Sequence, residues 1–145
     1  MDRRSFIRLA VAGSATSIIA PSIVLAGGMG KKISNNPMAG GVYYTLDSPG
    51  RWAKKAGPHS PNIQTSKSEG GIIVDVVTSH PMKGYEHYVV KHMLLDKDFK
   101  FIDEKVFDPA KDSPVSQFTL KAHSGPIYAV SVCNLHDSWL SVAEV

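Results

Sequence analysis

The chain has 145 residues, of which 43% are apolar and 20% are charged, and its formal net charge is +3. This length allows one domain, and the composition excludes a disordered or fibrous protein. The lysines and arginines form no basic tract, so the charge pattern does not favour a nucleic-acid partner.

The first 26 residues differ from the rest of the chain. Arg3 and Arg4 precede an uncharged stretch, residues 9–26, that ends in the small residue Ala26. This arrangement resembles a twin-arginine export signal, and it predicts cleavage after Ala26 and a periplasmic protein. A membrane anchor is the alternative, but Pro21 and several glycine and serine residues dilute the apolar run, and no later segment is long enough to span a bilayer.

The predicted export signal also bears on the cofactor. It resembles the signals of proteins that fold and bind a cofactor before they cross the membrane, which favours a metal inserted in the cytoplasm. Residues 1–26 contain three arginines and one aspartate, so cleavage lowers the net charge from +3 to about +1. We therefore expect no membrane association after cleavage and no nucleic-acid partner.

The remaining chain predicts one all-β domain. Residues 27–41 are rich in glycine, asparagine and lysine, which predicts a flexible arm. From residue 42 to residue 145, short apolar runs alternate with turns rich in Gly, Pro, Asp and Ser. The runs are residues 42–46, 72–77, 87–95, 99–102, 115–120, 127–133 and 139–142. They predict an immunoglobulin-like antiparallel β-sandwich of about seven strands.

Cys133 is the only cysteine in the chain, so an internal disulfide is excluded. A buried bystander, an intermolecular bridge and a metal-bound thiolate remain open. His136 follows three residues later, just beyond the predicted end of a strand, and both side chains can reach one ion. This neighbour favours the metal site.

Three further histidines lie near prolines, turns or strand edges. His59 lies between two prolines, and His80 and His87 bracket a turn. A single histidine is usually structural, but loops at one end of a rigid sandwich can gather several of them around an ion. His92 and His123 lack such surroundings, and we assign them to surface or packing roles.

The order of these residues resembles that of the superoxide reductases, the family of desulfoferrodoxin and neelaredoxin. The resemblance spans residues 42–145 and is most specific in the Cys-Asn-Leu-His segment of residues 133–136, which Trp139 follows. It implies an oxidoreductase that acts against oxidative stress, reducing superoxide to hydrogen peroxide at one mononuclear non-haem iron per chain. The implied iron ligands are His59, His80, His87 and His136 in the equatorial plane and Cys133 on the axis, with the sixth position open.

The chain departs from the family pattern just before the first histidine. Gly57 and Pro58 stand where the family commonly has Glu-Lys, so the usual sixth-position carboxylate and the lysine that draws in superoxide are missing. Positive charge could come instead from Lys54, Lys55 or Lys83. The sequence leaves open whether Asp137 or Glu86 replaces the carboxylate.

Two further departures affect turns. His80 and His87 are seven residues apart, one more than is usual in the family, which we attribute to an added residue around Gly84. Asp137 and Ser138 replace the usual Gly-Leu pair after His136. Aspartate tolerates a left-handed turn better than most residues, so this loop can keep its shape.

Three other functions compete with superoxide reduction. A zinc protein would use four tetrahedral ligands and leave one of the five donors idle. A non-enzymatic iron-thiolate sensor or electron carrier is favoured by the missing Glu-Lys pair. A plain binding module would leave the ordered motifs unexplained. The sequence names no electron-donor protein, assigns no catalytic residue apart from the ligands and leaves a homo-oligomer open.

Overall fold

The computed structural model describes residues 32–145, and the predicted signal peptide lies outside them. The predicted all-β architecture is confirmed: seven strands form two antiparallel sheets, consistent with an immunoglobulin-like sandwich. The strands are β1 (Pro61–Ser68), β2 (Gly71–Thr78), β3 (Val89–Leu95), β4 (Phe101–Val106), β5 (Val115–Leu120), β6 (Pro126–Cys133) and β7 (Asp137–Glu144). A 3-10 helical segment, Gly50–Lys55, and the single-turn helix α1, Ala56–His59, precede β1.

The core lies between a three-stranded sheet, β1-β2-β5, and a four-stranded sheet, β4-β3-β6-β7. Side chains alternate along each strand, so Val74 and Val76 of β2 are fully buried while the carboxylate of Asp75 points the other way. They pack with Leu94 of β3 and Ile127 of β6. This burial across the two sheets is the main source of the fold's stability.

The segment before the first strand packs on the outer face of β6. The predicted flexible arm includes residues 32–41, yet Ile33 is only 5% exposed and contacts Tyr128 and Val130. The hydroxyl of Tyr43 donates a hydrogen bond to the carbonyl oxygen of Ile33 at 2.7 Å. The described part of the arm is therefore held to the sheet, because both faces of β6 are apolar and the outer one needs a cover.

Two segments differ from the predicted strands. Residues 42–46 form no strand in the structure; instead Tyr44 makes one isolated parallel bridge to Trp139 of β7. Strand β1 was not predicted, because its sequence is mostly polar and only Ile63 packs against the core. It is an edge strand that pairs with β2 alone, so the alternation of apolar residues that reveals a strand in sequence is weak there.

The strand ends place the predicted ligands at one end of the sandwich. Cys133 ends β6 and pairs with Val89 at the start of β3 and with Asp137 at the start of β7. β2 ends at Thr78, just before His80, and α1 ends at His59, just before β1. All five predicted ligands therefore lie at the same end.

No helix within residues 32–145 has the length and apolar character needed to cross a bilayer.

Candidate metal centre

Five side chains converge at this end of the sandwich. One donor atom from each lies within 4.8 Å of every other, and the five residues are His59, His80, His87, Cys133 and His136. They are the five residues that the sequence singled out as ligands. His59, His80 and Cys133 are buried, whereas His87 and His136 are partly exposed. The cluster is therefore anchored in the protein on one side and open to solvent on the other.

Three close contacts join the four imidazole nitrogens one after another. Nδ1 of His136 lies 3.0 Å from Nε2 of His59 and 3.0 Å from Nε2 of His87. Nε2 of His87 lies in turn 2.9 Å from Nε2 of His80. Four nitrogens at the corners of a square with edges of about 3 Å lie about 2.1 Å from its centre, a normal metal–imidazole bond length, and its diagonals of about 4.2 Å respect the 4.8 Å limit on every donor pair.

Protons alone cannot hold these nitrogens so close together. Nδ1 of His59 donates to the carbonyl oxygen of Lys55 at 2.8 Å, so its Nε2 carries a lone pair. A single proton on Nδ1 of His136 can satisfy only one of its two close contacts. Lone pairs that face one another at 3 Å require a shared cation, and the donor set therefore fits a metal ion.

Burial keeps the imidazoles in the form that binds metal. Desolvation lowers the pKa of His59 and the pKa of His80 to about 4, and it also lowers the pKa of His87 and His136. A neutral imidazole offers its lone pair to a metal, whereas a protonated one does not. At neutral pH the four side chains are ready to bind without first losing a proton.

The sulfur of Cys133 lies slightly farther from the neighbouring imidazole nitrogens than those nitrogens lie from one another. Sγ of Cys133 is 3.7 Å from Nε2 of His80 and 3.6 Å from Nδ1 of His136. Burial raises the pKa of the Cys133 thiol, and the backbone amides of Leu135 and His136 act in the opposite direction. A buried thiolate needs a nearby cation, so the sulfur completes a donor set of four nitrogens and one sulfur.

A family model supports the same conclusion. Residues 50–142 match the model of the desulfoferrodoxin family, a span that covers more than half of the chain and all five clustered residues. The chain belongs to the desulfoferrodoxin family. The resemblance noted in the sequence is thereby confirmed.

Solved structures of family members share the fold. The superoxide reductase (neelaredoxin) from Ignicoccus hospitalis is 28% identical; the match covers 72% of this chain and 94% of that one, with a TM-score of 0.60. A point variant of the same protein gives a TM-score of 0.63 at 28% identity, covering 72% and 93% of the two chains. The superoxide reductase from Nanoarchaeum equitans, 20% identical, covers 61% and 93% with a TM-score of 0.54 and shows the fold alone. No curated protein sequence matches significantly.

The two loops that carry the ligands are joined by Asn134. Its side-chain oxygen accepts a hydrogen bond from the backbone N–H of Tyr88 at 2.9 Å, and its amide nitrogen donates to the carbonyl oxygen of Glu86 at 3.1 Å. The turn between His80 and His87 contains Gly84 at a positive φ of 56°. The turn around Gly84 accommodates the seven-residue spacing of these histidines. Asn134 bonds the end of this turn to the loop that follows Cys133.

His92 and His123 lie outside the cluster. His92 is fully buried between the sheets, which agrees with a packing role, and His123 is partly buried near Pro126. Neither offers a donor atom to the five-residue site.

Sequence reasoning singled out Asp137 but missed its contacts with Trp52 and Arg51 beside the site. The Trp52 ring lies edge-on to the His136 imidazole, with centroids 4.6 Å apart. The indole Nε1 of Trp52 donates to Oδ2 of Asp137 at 2.8 Å, and Arg51 pairs with the same oxygen. The hydrogen bond from Trp52 is the largest single cause of the lowered pKa of the Asp137 carboxyl, and the hydrogen bond and positive charge of Arg51 lower it further. Residues 51 and 52 lie in an irregular segment far from residue 137 in sequence, so only the fold reveals this contact.

Proposed function

We propose that this protein reduces superoxide to hydrogen peroxide at a single iron held by His59, His80, His87, His136 and Cys133. The observation that carries the proposal is the convergence of four imidazole nitrogens, joined by contacts of about 3 Å, with one thiol beside them. Imidazole and thiolate suit iron, zinc or copper, but a tetrahedral zinc site would leave one of the five donors idle. Membership of the desulfoferrodoxin family supports the choice of iron.

The reaction requires one electron and two protons for each superoxide. Iron held by the four histidines and Cys133 would supply the electron, and water that reaches the site would supply the protons that complete hydrogen peroxide. The partly exposed edge formed by His87 and His136 is the side from which superoxide and water reach the site. The chain contains one cysteine and hence no second, rubredoxin-like iron site, so a separate donor protein must restore the electron.

Lys55 is the strongest candidate for the charge that attracts superoxide. Its positive charge lowers the pKa of His59, His87, Cys133 and His136 alike, although in each case other causes are larger. Lys83 is a secondary contributor to the lowered pKa of His87 alone. Lys55 precedes α1 and lies four residues before His59. It therefore supplies positive charge near the site in place of the family's lysine, whose position Pro58 occupies in this chain.

A non-catalytic iron-thiolate sensor or electron carrier is the second candidate. It is favoured by Gly57, which leaves the position of the family's glutamate without a side chain. A Cβ added at Gly57 would meet no atom within 4 Å among the described residues, so nothing else fills that space. The sensor and the reductase differ in whether superoxide is turned over repeatedly.

The yield of hydrogen peroxide distinguishes these functions. Iron-loaded protein is given a large molar excess of superoxide together with an artificial reductant, and hydrogen peroxide is measured. Reduction yields one peroxide per superoxide over many turnovers, dismutation yields one per two, and a sensor or carrier stops at about one per iron. His136→Gln should abolish turnover, while His123→Gln, which alters a histidine outside the site, should not. A yield of one peroxide per two superoxides, or an arrest after one turnover, would overturn the proposal.

Export to the periplasm is a separate part of the proposal, supported by Arg3, Arg4 and the uncharged stretch up to Ala26. Mass measurement of the protein from a periplasmic fraction tests it. Cleavage after Ala26 that depends on the twin-arginine pathway is expected, and Arg3→Lys together with Arg4→Lys should retain the protein in the cytoplasm. Cytoplasmic protein of full length in the unaltered chain would contradict it.

A further inference from the structure

Two tryptophans contact His136 from different directions. The indole Nε1 of Trp139 donates to the carbonyl oxygen of His136 at 2.8 Å, and Trp139 is fully buried in the core. This bond holds the backbone of His136. His136 as a residue is partly exposed, and the Trp52 ring packs edge-on to its imidazole at a centroid distance of 4.6 Å and an interplanar angle of 89°.

Two kinds of contact hold the Trp52 ring. The ring packs against the buried cluster of Tyr44, Ala56 and Trp139, and its polar edge is held by Asp137. Its indole N–H donates to Oδ2 of Asp137 at 2.8 Å. The Arg51 guanidinium binds the same carboxylate and lies 4.8 Å above the Trp52 ring.

The contacts of Asp137 give its side chain a role beyond forming the turn. Asp137 has a positive φ of 62°, a left-handed conformation that glycine, asparagine and aspartate adopt more readily than other residues. The turn itself therefore does not require a carboxylate. Its partners Trp52 and Arg51 both lie in the 3-10 segment before α1, so the carboxylate links the turn between β6 and β7 to that segment.

We propose that Asp137 and Trp52 are positioning residues that hold the His136 imidazole in its metal-binding orientation. The Asp137 carboxylate fixes the indole, and the indole ring blocks rotation of the imidazole toward solvent. This inference rests on the proposed metal centre, because it concerns how one ligand is kept in place. It does not depend on superoxide turnover.

The test measures iron release to an excess of chelator, together with the visible spectrum of the oxidised protein. Asp137→Gly keeps the turn and removes the carboxylate, and Trp52→Phe keeps a ring and removes the N–H donor. Each should speed release about tenfold, the size expected for loss of an interaction that orients a ligand. The double variant should be no faster than the faster single variant, because both changes break one linkage.

Matched variants separate positioning from general weakening. Asp137→Asn tolerates the same φ and keeps an acceptor oxygen, so it should restore most of the slow release. Arg51→Ala removes an exposed ion pair and should change release less than twofold. Asp47→Gly, an exposed change elsewhere, should leave it unchanged.

Release as slow in Asp137→Gly as in the unaltered protein would overturn the inference, and so would fast release in Asp137→Gly with slow release in Trp52→Phe. If release responds as expected but superoxide is not turned over, the positioning inference stands and the proposed function fails.

Discussion

Two sets of histidines lie in the same sandwich and differ in their partners. Desolvation lowers the pKa to about 4 for buried His92 and equally for His59 and His80 of the metal site. In His92, however, Nε2 lies 2.8 Å from the hydroxyl of Thr78, and Nδ1 lies 2.8 Å from the hydroxyl of Ser116. Burial and pKa are therefore alike for His59, His80 and His92, and the bonding of their nitrogens distinguishes His92 from the other two.

The hydroxyls around His92 account for both of its nitrogens. Thr78 donates its proton to Ser131 at 2.9 Å, so it accepts from Nε2–H of His92, and Nδ1 accepts from Ser116. This chain joins the two sheets, since Thr78 and Ser116 belong to one and His92 and Ser131 to the other. In the metal site, lone pairs face lone pairs. Satisfied nitrogens indicate a structural histidine, and mutually opposed lone pairs indicate a binding site.

The largest effect is expected when the sulfur is removed from the metal site. Cys133→Ser replaces the thiolate with a hydroxyl that stays protonated at neutral pH, so the strongest charge in the donor set is lost. Superoxide turnover should fall by at least about 100-fold, and any absorption band from thiolate to ferric iron should disappear. Stopped-flow kinetics and the visible spectrum check this. Retained turnover would show that the sulfur is not part of the working site.

The next effect concerns stability alone. His92→Leu leaves the buried Ser116 hydroxyl without its His92 partner and removes one of the two hydrogen bonds of Thr78, which should lower the free energy of unfolding by about 3 kcal/mol. Urea denaturation measures it, and iron content per folded chain should be unchanged. His123→Leu is the matched control and should shift stability by less than about 0.5 kcal/mol. Loss of iron from folded His92→Leu protein would contradict the claim that His92 has a structural role separate from the metal site.

The pH dependence of folding should follow His92. Its folded pKa of about 4 lies below the ordinary value of 6.5, so the unfolded chain binds the proton more readily. The contribution of neutral His92 is complete above pH 6.5 and declines as the pH falls toward 4, by about 3 kcal/mol in total. Comparison with His92→Gln, which cannot titrate, isolates this part from the metal ligands. Parallel stability curves for the two proteins would contradict it.

The smallest effect is electrostatic attraction at the open edge of the metal site. Lys55→Gln should slow the second-order reaction with superoxide about threefold at low salt and less at high salt, because screening weakens the attraction. Lys67→Gln is the matched control, since Lys67 lies toward the far end of β1 from His59. Equal rates for both variants at low ionic strength would remove Lys55 from the proposal.

The sequence predicted the parts of this molecule that depend on local pattern. The strand that ends at Cys133 is strongly apolar, and His136 follows it within one turn, so their proximity was readable from spacing. The polar edge strand β1 was missed because pairing with β2, and not apolar alternation, makes it a strand. The contact of Trp52 with His136 was also missed, because it joins segments that only the tertiary fold brings together.

The central claim is that the five clustered side chains hold iron. The purified chain, produced without added metal, should be assayed for iron and zinc, and its visible spectrum recorded before and after oxidation by superoxide. One iron per chain with a thiolate-to-ferric band on oxidation is the predicted result. Zinc at full occupancy without colour would contradict it.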